Sequence, residues 1–125
     1  MAKRVLDVGQ CNLDHGSICR LIEQNFPATV ERTHEMQDTL QALRARPCDL
    51  ILINRKLDLD YSDGMEILRA IKADPDLSAI PIMLVTNYPE FQQAAIAEGA
   101  VPGFGKDDLR SPETLEKLKP YLAEV

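Results

Sequence analysis

Pro47-Cys48-Asp49-Leu50-Ile51-Leu52-Ile53-Asn54 decides the fold. An aliphatic run this short, opened by turn-forming residues, is what a strand looks like when a parallel sheet buries it on both faces. Upstream, Val5-Leu6-Asp7-Val8 reads as a first strand with one anomalous acid. A helix from Asn12 to Asn25 follows, with Leu13, Ser17, Leu21 and Ile18, Ile22 at helical spacing and Pro27 just past its end. Ala28 to Arg32 is a weak strand, polar enough for a sheet edge. A helix from about Glu35 to Arg46 is expected to bury Met36, Leu40 and Leu43 before Pro47 stops it.

Downstream of Asn54, Asp63 or Ser62 can cap a helix through Ala73, with Met65, Ile67, Leu68 and Ile71 facing inward. Ile80 to Val85 is the most hydrophobic strand and so is expected near the centre. Pro89 to Glu98 reads as a helix ended by Gly99, and Val101 to Phe104 as an edge strand interrupted by Pro102 and Gly103. Ser111-Pro112-Glu113 starts a last helix: hydroxyl cap, proline in the first turn, acid against the dipole. Leu115, Leu118 and Leu122 are its expected inner stripe, and Pro120 is expected to limit its length. Five βα units of this size predict one α/β domain over residues 1–125. The expected fold is a doubly wound, flavodoxin-like (βα)5 open parallel sheet in strand order 2-1-3-4-5. That order sets strands one and three side by side, so residues after Val8 and after Ile53 meet in one cleft.

Composition narrows the function. Fourteen lysines and arginines against 20 acids leave a net charge of −6, which argues against direct nucleic-acid binding. Hydrophobic residues at 45% and charged residues at 27% are ordinary for a soluble globular chain. No stretch approaches the ~20 apolar residues of a membrane span, and Met1-Ala2-Lys3-Arg4 does not lead into a signal peptide. Cys11, Cys19 and Cys48 lack the spacing of a disulfide framework, so a reducing cytoplasm is the expected location.

Three stretches carry a resemblance: Asp63-Gly64-Met65-Glu66-Ile67-Leu68-Arg69-Ala70-Ile71-Lys72, Pro81-Ile82-Met83-Leu84-Val85-Thr86, and Glu98-Gly99-Ala100 through Lys106. Over nearly its whole length the chain resembles the receiver domains of bacterial response regulators. In that family two acids after the first strand and an aspartate after the third hold Mg²⁺, and the aspartate accepts phosphate from a histidine kinase. A Thr or Ser after the fourth strand and a Lys after the fifth complete the site. The resemblance puts Thr86 and Lys106 at the last two positions. The acid pair falls on Gly9 and Gln10, and the phosphoacceptor position falls on Asn54. The family's aromatic switch position falls on Gly103, with Phe104 one place later, and the loop from Asn54 to Asp63 is about two residues longer than usual.

Chemistry interprets these differences. An amide neither ionises nor accepts a phosphoryl group, and Mg²⁺ wants hard, charged oxygen ligands. No metal or cofactor is therefore expected, and no catalytic residue. Asn54 is expected to satisfy buried backbone or to pair with Lys106, and Lys106 to reach Asn54 or the Asp58/Asp60 loop. Asp58 and Asp60 read as solvated turn residues and Asp63 as a cap, with a relocated acidic site at Asp58/Asp60 as the alternative. Asp7 needs a partner such as a backbone amide, Lys3 or Arg4. Cys11, His15 and Cys19 fall at i, i+4 and i+8, but Cys11 precedes the helix and a fourth zinc ligand is missing. Gly9 and Gly16 do not make a dinucleotide fingerprint, and no Ser/His/Asp or Cys/His set is expected to converge. Tyr88, Phe91 and Phe104 are the candidate contact surface. The expected function is a receiver-like signalling domain with a degenerate phosphorylation site that binds a protein partner independently of phosphorylation. A switch modified at a non-standard site or regulated by a ligand is the alternative.

Overall fold

The computed structural model describes residues 2–123. Among these, β1 (Lys3–Val8), β2 (Ala28–Thr33), β3 (Leu50–Asn54), β4 (Ile82–Val85) and β5 (Val101–Phe104) form one parallel sheet in the order β2-β1-β3-β4-β5. The helices α1 (Asn12–Asn25), α2 (Met36–Ala45), α3 (Gly64–Ala73) and α4 (Pro89–Ala97) connect consecutive strands, and α5 (Pro112–Leu122) follows β5. This is the expected flavodoxin-like (βα)5 fold, with the polar strand β2 at one edge and β5 at the other.

Side chains alternate across each strand and so build two cores. On one face Leu6, Val8, Ile51, Ile53 and Leu84 pack with Leu43 of α2, Ile67, Leu68 and Ile71 of α3, and Ala95 of α4. On the other, Val5, Leu50, Leu52 and Met83 pack with Ile18 and Ile22 of α1 and Leu118 and Leu122 of α5. Leu50 to Ile53 are fully buried because both faces are covered, which is why the run shows no polar alternation.

Local chemistry sets the boundaries. Cys11 caps α1 through Sγ, which accepts from the Asp14 amide, and Asp63 caps α3 by accepting from Met65 N at 2.9 Å. Ser111 caps α5 by accepting from Glu113 N, and Glu35 with Asp38 forms a capping box on α2.

Several expectations are corrected. Leu13 is 75% exposed, so the inner stripe of α1 is Ile18 and Ile22, with half-buried Leu21 packed against the same core. In α2, Met36 and Leu40 are only half-buried; Thr39 is fully buried, its hydroxyl 2.9 Å from that of Thr33. β4 starts at Ile82 because Pro81 has no N–H to pair, although its carbonyl accepts from Ile51 N at 3.0 Å. Pro120 does not end α5. It lies inside the helix, which runs on to Leu122 because Leu118 and Leu122 on either side are both fully buried. Leu115 is half-buried, and Thr114 takes the inner place, its hydroxyl donating to Asp108 O at 2.7 Å. The long loop after β3 folds back on itself through an antiparallel bridge between Lys56 and Asp63. Among the described residues no helix is long and apolar enough to cross a membrane.

Candidate functional site

Val8 pairs with Ile53 across the β1–β3 ladder, so the chain leaves both strands at the same level and Gly9 faces Asn54. The Asn54 side chain is spent on backbone. Its Nδ2 donates to Gly9 O at 3.0 Å and to Lys56 O at 2.7 Å. Gly9 O accepts a second bond, from Asp58 N at 2.9 Å. Gly9 itself has φ +76°, and a Cβ there would stand 2.4 Å from Leu57 Cδ2. Leu57 is buried, so it occupies the space that a side chain at position 9 would need.

Gln10 is fully buried and does not line the cleft. Its side chain turns toward Asp7, and both of its amide atoms lack hydrogen-bond partners. Thr86 is buried at the end of β4, and its Oγ1 accepts from Tyr88 N at 3.3 Å. Lys106, on a single 3₁₀ turn after β5, does not reach Asn54 or the Asp58/Asp60 loop. Its Nζ lies 2.8 Å from Asp14 Oδ2 on α1. Burial raises the Asp14 pKa, but bonds from Lys106 and Cys11 outweigh it and hold the carboxyl below its ordinary value. Local sequence carries no signal for a pair this far apart.

The resulting cleft holds about 250 Å³ and is lined by Asn54, Arg55, Lys56, Thr86, Phe91 and Lys106 among others, with no carboxylate in its wall. Arg55 lies over the Phe91 ring, 3.9 Å from its centroid, and Tyr88 meets Phe91 edge-on at 5.7 Å. Asp58 and Asp60 are exposed and stand outside the wall; Asp60 Oδ1 closes an Asx turn by accepting from Ser62 N at 3.0 Å. Mg²⁺ does not fit this donor set. Position 9 has no side chain, Gln10 is turned away, and Asn54 offers at most a neutral amide oxygen, its Nδ2 being engaged by Gly9 O and Lys56 O.

Three expectations fail elsewhere. Phe104 is 2% exposed and belongs to the core, so it offers no contact surface, whereas Tyr88 is 59% exposed and Phe91 half-buried. A Cβ on Gly103 would stand 2.3 Å from Leu84 O, which explains why the aromatic ring sits one place later and points inward. Asp7 pairs with neither Lys3 nor Arg4 but with His15, Oδ2 to Nδ1 at 2.7 Å. His15 Nε2 in turn lies 3.6 Å from Cys19 Sγ, so an Asp/His/Cys set does converge. Strand alternation could have found it: Asp7 shares the α1 face with Val5, and His15 is spaced with Ile18, Cys19 and Ile22 on that helix. Burial pushes the Asp7 carboxyl up to about 6, against the pull of His15, Gln10 and Arg32.

No family profile matches the chain. The polar-differentiation response regulator DivK of Brucella ovis is 27% identical to it over 126 residues, covering 100% of both chains, and that of Brucella anthropi has the same identity and coverage. Over its full length the chain is thus similar to response regulators. Solved structures agree on the receiver fold. A response regulator from Chloroflexus aurantiacus superposes with a TM-score of 0.84 at 16% identity, covering 97% of this chain and 98% of that one. The Vibrio cholerae chemotaxis protein CheY4 superposes with a TM-score of 0.76 at 21% identity, covering 98% and 100%.

Proposed function

We propose that this receiver works without phosphorylation, as a cytoplasmic protein–protein interaction module in a bacterial signalling pathway, and not as an enzyme. The observation that carries the reading is the Asn54 amide donating to both Gly9 O and Lys56 O. At the position that the resemblance gives to the phosphoacceptor, this side chain has no carboxylate to acylate, and its amide nitrogen is held by two backbone carbonyls. Leu57 packed on Gly9, the inward turn of Gln10 and the Lys106–Asp14 pair support the same conclusion. A charge-driven switch has lost its trigger, so a partner reads one standing conformation. The surface favoured for that partner is α4 with exposed Tyr88 and half-buried Phe91, extending toward β5 and α5 as in the family. Modification at Asp58 or Asp60 has less support, because both are exposed turn residues outside the cleft.

The experiment is incubation with acetyl phosphate, or with beryllofluoride, plus Mg²⁺, followed by mass and by NMR. Unchanged mass and unmoved resonances at Asn54, Thr86 and Lys106 are expected. A gain of one phosphate, or shifts clustered at those residues, would overturn the proposal. A pull-down from the native host should lose its partner with Tyr88→Ala and keep it with Asn54→Ala.

A further inference from the structure

On the α1 face of the sheet, away from the cleft, three side chains stand in hydrogen-bonded series. Asp7 Oδ2 lies 2.7 Å from His15 Nδ1, and His15 Nε2 lies 3.6 Å from Cys19 Sγ. Asp7 is fully buried, the His15 side chain is 19% exposed and Cys19 is half-buried, so the series runs from the interior outward. A carboxylate at Nδ1 holds the imidazole proton on that nitrogen and leaves Nε2 as an acceptor facing the thiol. Carboxylate, imidazole and thiol in this order are the arrangement by which a sulfur loses its proton as it attacks. A second observation concerns the buried end. Asp7 Oδ1 is buried with only the Gln10 amide turned toward it, a costly arrangement for a cluster that only fills space.

We propose that Cys19 is a modification site, a thiol that reacts with hydroperoxides while His15 takes its proton. Cys19 Sγ attacks the terminal peroxide oxygen; the S–O bond forms as the O–O bond breaks. Sulfur is oxidised to sulfenic acid and the peroxide is reduced to an alcohol, or to water when the oxidant is hydrogen peroxide. The thiol proton passes to His15 Nε2 and then to the departing oxygen. Charged groups around the sulfur are Asp7 of β1 and His15, Arg20 and Glu23 of α1, while Arg32 of β2 acts on the Asp7 carboxyl. Burial, then Glu23 and Asp7, hold the Cys19 thiol above its ordinary pKa, with Arg20 opposing. The sulfur is therefore protonated at rest and depends on the base at the moment of attack. Cys11 and Cys48 are built differently and serve as controls in the same molecule. Cys11 Sγ accepts the Asp14 amide, and Cys48 Sγ donates to the carbonyls of Arg4 and Leu50.

The test treats the reduced full chain with limiting hydrogen peroxide and dimedone at neutral pH and follows each cysteine by peptide mass spectrometry. Dimedone adduct is expected at Cys19 at least about tenfold faster than at Cys11 or Cys48, with His15→Gln removing that advantage and leaving the Cys11 rate unchanged. A measurement on the unmodified chain needs no variant to fold. The iodoacetamide rate at Cys19 should climb by clearly less than tenfold per pH unit, whereas an unassisted thiol gains about tenfold per pH unit up to its own titration. Equal rates at the three cysteines, a His15→Gln rate equal to that of the parent, or an unbroken tenfold-per-unit rise would each overturn the proposal.

Discussion

Alanine at Gly9 is expected to destabilise this protein by about 2–5 kcal/mol, the sum of two effects. Gly9 has φ +76°, and a Cβ-bearing residue held in the left-handed region costs roughly 1–2 kcal/mol. The added Cβ also stands 2.4 Å from Leu57 Cδ2 and 3.3 Å from Leu57 Cα, and forcing an atom into a filled core costs about 1–3 kcal/mol. The lower end applies if Leu57 escapes by changing rotamer alone; the contact with its Cα is backbone and yields less. Against a total stability of about 5–15 kcal/mol this is a large loss, and melting should fall by roughly 6 °C or more. Urea denaturation followed by circular dichroism, on Gly9→Ala beside the parent, measures it directly. Gly9→Asp should fare no better, so restoring an acid here costs stability before it offers Mg²⁺ a ligand. A Gly9→Ala chain within about 0.5 kcal/mol of the parent would refute the reasoning, because it would show that Leu57 moves aside freely.

Three further outcomes follow from the polar contacts. Asn54→Asp replaces a donor by a carboxylate facing Gly9 O and Lys56 O, and should cost about 2–4 kcal/mol at neutral pH, with part recovered in acid, where the protonated carboxyl donates once; paired urea melts at the two pH values check it. Asp7 titrates near 6 when folded against 3.8 in its ordinary state, so the folded chain holds the proton more tightly and ionisation drains stability as pH rises between those values, by up to about 1.4 kcal/mol per unit. The stability of Asp7→Asn relative to the parent should therefore climb from pH ~4 to ~6 and then flatten; a difference constant with pH would sink the assignment. Lys106→Met breaks a partly buried pair with Asp14 and should cost about 1 kcal/mol at neutral pH. Asp14 has a lowered folded pKa, so that deficit should fade as pH falls through it. An unchanged melting curve at neutral pH would show that the pair contributes nothing.

Legibility in the sequence followed how locally each feature is determined. Leu50-Ile51-Leu52-Ile53 and the caps at Asp63 and Ser111 are set within a few residues, and the strands and helices read from them stand nearly where expected. Features that depend on which face meets which were harder. Leu13 fits the α1 spacing but falls outside the stripe that the sheet covers. Phe104 follows Gly103 because Leu84 O leaves no room for a side chain at 103, a contact between strands that no single segment displays. In the cleft, Gly9, Gln10, Asn54, Thr86 and Lys106 could be listed from the sequence, but their directions could not. That Gln10 turns toward Asp7 and Lys106 toward Asp14 depends on side-chain choices among several nearby partners.

A carbonyl oxygen has two lone pairs, and those of Gly9 are both engaged, one by Asn54 Nδ2 and one by Asp58 N. The loop after β3 is thus moored to a central strand by an atom with no valence to spare. Lifting that loop means unfastening the tips of β1 and β3 together. The Asp58 amide should accordingly exchange its hydrogen on the slow timescale of the sheet, although its own side chain lies in open solvent.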